Sequence, residues 1–132
     1  MKHLGNCSPR EFLSQSAKTV TLMENWLKVT GVMEIRKNKP VIPKDADKET
    51  RDELLAEQGR KNLLEMFNAA AIDHPEETLE LLGALCFVEP ANIDDHPMDD
   101  YMGALFEMLS SKTVTGFFTS SARLGRTGIL KG

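Results

Sequence analysis

Apolar residues recur along most of the chain at the three-and-four spacing of an amphipathic α-helix. The clearest pattern lies between residues 73 and 109, where two Asp-His-Pro sequences each precede an apolar run. Proline is tolerated in the first helical turn, and acids there face the positive end of the helix dipole. We therefore predict two consecutive helices that form the core. Their expected buried residues are Leu79, Leu82, Leu85 and Cys86, followed by Met98, Tyr101, Met102, Leu105, Phe106 and Leu109.

A first helix of about twenty residues is predicted at the N-terminal end. Ser8, Pro9 and Glu11 have the spacing of a capping box with proline at the first helical position, and Gly31 is suited to end the helix. Apolar residues then recur at helical spacing, and the expected buried set is Phe12, Leu13, Ala17, Val20, Met23 and Leu27, with Trp26 as a further candidate.

Residues 32–72 are predicted to form a short helix, an extended segment and a longer helix. Residues 32–37 allow a short helix, whereas Pro40 and Pro43 forbid regular helix over residues 39–44. Asp45 or Asp47 can cap a helix that runs to about Ile72. Its charged first half should face solvent, and its apolar second half should enter the core. The residues expected in that core are Leu63, Leu64, Met66, Phe67, Ala70 and Ala71.

A last helix is predicted after the break at residues 110–113, with Val114, Phe117 and Phe118 among its apolar residues. Residues 125–132 are rich in glycine and lack a packing pattern, which predicts a flexible basic tail. No alternating run has strand chemistry. We therefore expect an all-α fold, a compact single-domain bundle of five or six helices over residues 1–124.

Charge and composition narrow the classes of function. The net charge is -4, and eleven acids but no lysine or arginine lie between Asn62 and Ser111. An acidic surface repels phosphate backbones, so nucleic acid is not an expected partner. The chain has no apolar run of the roughly 20 residues that span a bilayer, and Cys7 and Cys86 do not form a disulfide or metal pattern. These features predict a cytoplasmic protein without membrane segments.

Two histidines are the strongest candidates for catalysis, because carboxylates flank both His74 and His96. Neither lies in a His-x-x-x-His or Glu-x-x-His arrangement, the spacings that place two metal ligands on one helix face. Capping of the following helix is the simpler interpretation, and a metal or acid–base site is the alternative. We predict no catalytic, cofactor-binding or metal-binding residues.

Two further features suggest a site for a protein partner. The acidic block is either a solvated helix surface or a docking face. Of two adjacent aromatic side chains on the last helix, either one is partly exposed beside basic residues or a wide core takes both rings. The candidate partner-binding residues are Asp94, Asp95, Asp99, Asp100, Phe117, Phe118, Arg123 and Arg126.

Several segments together resemble the tail assembly chaperones of long-tailed phages, small proteins encoded in the tail-morphogenesis regions of Firmicutes prophages. The segments are NCSPREFL (6–13), WLKVT (26–30), IRK (35–37), HPEETLELL (74–82), CFVEP (86–90) and HPM (96–98). The resemblance implies a non-enzymatic helical protein of the bacterial cytoplasm that binds the tape measure protein, keeps it soluble and helps to recruit tail tube subunits. It also implies that a translational frameshift can produce a longer form.

Two other functions stay open at this level. One is a small phage or bacterial adaptor that binds a host protein through the same helices, and the other is a metal-dependent enzyme that uses His74 and His96. The sequence also leaves open whether the protein is a monomer or a homo-oligomer.

Overall fold

The computed structural model describes the backbone of residues 1–126 and the side chains of residues 1–121, and this part of the chain is all-α. The predicted fold class is therefore confirmed. The α-helices are α1 (Pro9–Thr30), α2 (Val32–Arg36), α3 (Lys48–Phe67), α4 (Pro75–Leu85), α5 (Met98–Ser110) and α6 (Lys112–Arg126). A π-helical segment, Asn68–Asp73, continues from α3, and a 3₁₀ segment, Pro90–Asp95, precedes α5.

Contacts divide the chain into two compact units. The terminal unit contains residues 1–24 and the described residues from 79 onward, and the middle unit contains residues 25–78. The single helical domain that the sequence predicts over residues 1–124 stays a prediction. The predicted C-terminal tail began at Gly125, but α6 continues to Arg126, and residues 127–132 lie outside the described part.

The capping box at the start of α1 is present as predicted. Ser8 Oγ accepts the backbone N–H of Glu11 at 3.2 Å, and Glu11 Oε1 accepts the backbone N–H of Ser8 at 3.0 Å. A hydrogen bond from the Lys2 ammonium, together with those from Ser8, lowers the pKa of Glu11 to about 2. At the other end, Gly31 ends the helix with a φ of 66°, a conformation that glycine adopts without steric cost.

The buried face of α1 is more polar than the apolar pattern predicted. Leu13 and Ala17 are exposed, which corrects their placement in the core, whereas Ser16 and Thr19 are buried. Thr19 Oγ1 donates to the carbonyl of Gln15 at 2.9 Å, so its hydroxyl is satisfied within the helix. Because these polar groups have partners, burying them carries little desolvation penalty.

The C-terminal end of α4 joins three segments of the terminal unit. The carbonyl of Leu85 accepts the backbone N–H of Leu4 at 3.1 Å, and the carbonyl of Ala84 accepts Gln15 Nε2 at 2.9 Å. The carbonyl of Gly83 accepts the backbone N–H of Val88 at 2.8 Å. Carbonyls that have no partner within the helix are thus paired with the N-terminal segment, α1 and the following turn.

That turn is a Schellman-type cap with an aromatic residue where glycine is usual. Phe87 has a φ of 57°, and the bond from Val88 to Gly83 spans the six residues of this motif. The turn brings the chain close to α4, since a Cβ added at Gly83 would lie 2.8 Å from the carbonyl oxygen of Val88. Glycine is therefore required sterically at this position.

Half-buried and buried polar side chains connect the segments of the middle unit. Trp26 Nε1 donates to Thr78 Oγ1 at 2.9 Å, and Thr78 Oγ1 donates in turn to the carbonyl of Ala70 at 2.7 Å. Asn62, which is buried on α3, donates to the carbonyl of Asn38 at 2.9 Å. This contact holds the start of the extended segment, residues 39–44, that was predicted from Pro40 and Pro43.

The start of α3 lies where the sequence predicted it, but the buried face of the helix differs from the predicted one. Asp47 caps the helix by accepting the backbone N–H of Thr50 at 2.7 Å. Leu63, Leu64 and Phe67, which were predicted to enter the core, are instead exposed. The inward face of the helix carries Leu54, Gln58, Asn62 and Met66, and Ala69 continues this face in the π-helical segment at the same three-and-four spacing.

In residues 1–126, none of the helices combines the length and apolar character that crossing a bilayer requires.

Replacement of Gly83 by alanine is expected to destabilise the protein by about 1–3 kcal/mol, because the new methyl group would overlap the carbonyl oxygen of Val88. Gly103 in α5 is a matched control, since a Cβ there meets nothing within 4 Å. Gly103→Ala should stabilise by about 0.5–1 kcal/mol through helix propensity. Urea unfolding of both variants measures the difference, and equal effects would contradict the close approach at Gly83.

Candidate functional site

The inner face of α5 anchors the helix in the terminal unit. Tyr101, Ala104 and Met108 are buried, and Leu105 is half-buried beside them. Tyr101 donates its hydroxyl to the carbonyl of Ile93 at 2.7 Å, which ties the 3₁₀ segment to the helix. Burial raises the pKa of Tyr101, and the carboxylates of nearby aspartates act in the same direction. The phenol is therefore a stable hydrogen-bond donor at neutral pH.

The outer face of α5 is also apolar and lies in solvent. We call it the α5 stripe, and it consists of Met98, Met102, Phe106 and Leu109, with exposed fractions between 37% and 63%. All four were predicted to be buried, so their placement is corrected. The buried residues of the inner face already recur at three-and-four spacing, as packing of the helix requires. The four residues of the stripe are therefore not needed for the core. A contiguous exposed apolar surface of this kind is typical of a protein-binding site.

A groove between α5 and α6 adjoins the stripe. Its volume is about 300 Å³, and Leu109 belongs to both the groove and the stripe. The groove is lined by Met23, Leu85, Leu105, Met108, Leu109, Val114, Thr115, Phe118 and Thr119. Most of these side chains are apolar, so the groove favours an apolar occupant.

The predicted acidic residues lie at the N-terminal end of the stripe. Asp94 and Asp95 belong to the 3₁₀ segment, Asp99 and Asp100 to the first turn of α5, and all four are exposed. The two helical aspartates face the positive end of the helix dipole. This end of the stripe therefore carries negative charge into solvent.

Another carboxylate is held by a buried histidine. His3 Nδ1 accepts the backbone N–H of Gly5 at 3.0 Å, which leaves the proton of a neutral ring on Nε2. Nε2 lies 2.6 Å from Glu107 Oε2 and donates to it. The contact fixes the N-terminal segment against α5, and nothing in the sequence pattern pointed to it.

The two phenylalanines of α6 are both half-buried and have different neighbours. Phe117 makes an edge-to-face contact with Phe12 of α1, with ring centroids 5.3 Å apart. Phe118 lines the groove. Phe117 thus takes part in internal packing, whereas Phe118 is available to an occupant of the groove. The side chains of Arg123 and Arg126, which were also predicted to bind a partner, lie outside the described residues.

The candidate catalytic histidines each lie near one carboxylate. His74 Nδ1 is 3.4 Å from Glu77 Oε2 in the middle unit, and His96 Nδ1 is 3.8 Å from Asp100 Oδ2 in the terminal unit. In the part of the chain that the structure describes, three or more potential ligands do not come together in a group that could hold a metal ion. The local geometry is that of residues at helix starts.

The cysteines lie in different environments. Cys86 is buried, and burial raises the pKa of its thiol to about 11, so it is protonated at neutral pH. Cys7 is half-buried, and burial likewise raises its pKa. Neither has the lowered pKa that activates a nucleophilic cysteine.

Comparisons with protein-family models, with curated proteins and with solved structures find no significant match.

Truncation at the inner and outer faces of α5 should change the free energy of unfolding by very different amounts. Met108→Ala removes a side chain that is only 2% exposed, and we expect a loss of about 2–5 kcal/mol in the free energy of unfolding. Phe106→Ala removes a larger side chain that is 63% exposed, and the change should stay within about 0.5 kcal/mol. Chemical denaturation of the two variants measures both values. A large loss at Phe106 would mean that the stripe is part of the core.

Proposed function

We propose that this protein is a non-enzymatic phage tail assembly chaperone, in which the α5 stripe binds apolar helical segments of the tape measure protein. The observation that carries the proposal is the exposure of Met98, Met102, Phe106 and Leu109 on one helix whose opposite face is already buried. These residues are spaced four, four and three apart, so they form one continuous surface. The resemblance to tail assembly chaperones supplies the identity of the client.

The shape of the surface supports a helical client. A helix that lies along a groove presents side chains at the same three-and-four spacing, and the groove beside Leu109 can receive one of its larger apolar side chains. Two of the four residues in the stripe are methionines, whose flexible side chains adapt to different apolar partners. A chaperone that binds successive segments of a long client requires this kind of tolerance.

The charges around the stripe favour a client whose polar flank is basic. The exposed acids at residues 94, 95, 99 and 100 lie at one end, and a partner with lysine or arginine there would gain electrostatic attraction. The acids also help to keep the apolar surface from causing aggregation while it is unoccupied. In this proposal the chaperone acts in the cytoplasm and helps to recruit tail tube subunits around the client.

Co-expression with the tape measure protein encoded beside this gene tests the proposal. The client is expected to be soluble and to co-elute with the chaperone in affinity purification and size exclusion. Phe106→Glu should abolish co-elution, because it places a charge in the centre of the apolar contact.

The matched control is Phe67→Glu in the middle unit. Phe67 has the same exposed fraction as Phe106, 63%, but lies on a different helix. This variant should still solubilise the client. The chaperone proposal is wrong if the client stays insoluble beside the native protein, or if no tape measure gene lies next to this one. Stable binding to one compact host protein would instead favour the adaptor function.

A further inference from the structure

A second exposed apolar surface lies in the middle unit, at the C-terminal end of α3. We call it the α3 stripe, and it consists of Leu63, Leu64, Phe67 and Ile72, with exposed fractions between 63% and 68%. Three of these residues lie on α3, and Ile72 lies in the π-helical segment that continues it. π-Helical turns often occur at functional sites. The stripe is at least as exposed as the α5 stripe.

Charges of opposite sign mark the two ends of the α3 stripe. On its N-terminal side, Arg60 and Lys61 are exposed; on its C-terminal side, Asp73 and Glu76 are exposed. Arg60 lies six residues before Met66, and Asp73 lies six residues after Phe67, so both are equally far from the centre. Within the described part of the chain, neither Arg60 nor Asp73 forms an ion pair.

We propose that the α3 stripe binds a second copy of this chain in an antiparallel, two-fold symmetric arrangement. Such symmetry places the basic end of one stripe against the acidic end of the other, and it does so twice. Arg60 of each copy then faces Asp73 of the other copy, and the Phe67 side chains lie near the symmetry axis. The surface is thus complementary to itself in both apolar character and charge.

Other charged residues of α3 are compatible with this arrangement. Glu57 is followed four residues later by Lys61, the spacing at which opposite charges on a helix neutralise each other. Glu65 is two residues from Phe67, and residues two apart point to different sides of a helix. Glu65 therefore does not have to be buried in the contact, and Lys61 is placed to offset the charge of Glu57.

The first test is the mass of the full-length protein in solution. Sedimentation equilibrium at low ionic strength should give a concentration-dependent dimer, twice the chain mass of 14.7 kDa. Phe67→Glu should raise the dissociation constant of the dimer at least about 30-fold, because two charges would meet at the centre of the contact. Phe106→Glu, equally exposed on the α5 stripe, should leave the dimer unchanged.

Charge reversal tests the antiparallel register. Arg60→Glu alone and Asp73→Arg alone should each weaken the dimer about tenfold, since each creates two like-charge contacts per homodimer. An equal mixture of the two single variants should form a heterodimer, because the reversed residue in each copy meets an opposite charge in the other. The double variant Arg60→Glu with Asp73→Arg should dimerise with itself.

Several results would overturn the proposal. A monomer at every concentration, or an assembly larger than a dimer, contradicts the two-fold contact. A dimer that survives Phe67→Glu but not Phe106→Glu would place the interface on the α5 stripe. Failure of both the mixture and the double variant to restore the dimer would exclude the register. Circular dichroism of each variant serves as the control for folding. The inference does not depend on the proposed chaperone function.

Discussion

The three carbonyl groups at the C-terminal end of α4 hold the terminal unit together. Those of Gly83, Ala84 and Leu85 accept hydrogen bonds from the turn at Val88, from α1 and from the N-terminal segment, respectively. A helix must satisfy its last carbonyls somewhere, and here each partner comes from a different part of the unit. The close approach at Gly83 makes this arrangement possible, and the contact of buried His3 with exposed Glu107 connects the same N-terminal segment to α5.

Helix starts and ends could be predicted from the sequence because their causes are local. The capping box of Ser8 and Glu11, the cap at Asp47 and the left-handed Gly31 each involve residues within three or four positions of one another. The extended segment around Pro40 followed for the same reason, since proline constrains its own residue and the one before it. The Schellman-type turn was missed because Phe87 occupies the position where glycine would have signalled it.

The buried face of each helix could not be predicted in the same way. Periodicity shows which residues share a face, but a helix that is apolar on more than one side leaves the choice to tertiary contacts. In α5 the contact of Tyr101 with Ile93 helps to select the inner face, and in α3 the bond from Asn62 to Asn38 does the same. Both are hydrogen bonds over eight or more residues. Long-range hydrogen bonds of Tyr101 and Asn62 thus help to determine which apolar residues of α5 and α3 are left exposed. The exposed residues of α5 form the candidate site.

The two exposed stripes differ in the charges that surround them, and this difference underlies the different partners that we propose for them. Among the residues whose side chains the structure describes, five acids flank the α5 stripe, at residues 94, 95, 99, 100 and 107, and Lys112 lies beyond its far end. A second copy of that stripe would bring mostly like charges together, whereas a basic helix would neutralise them. In the proposed dimer, Arg60 of each copy faces Asp73 of the other, so two α3 stripes would bring opposite charges together twice. Since apolar contact alone does not distinguish partners, the two proposed interactions would depend on charge to stay separate on one chain.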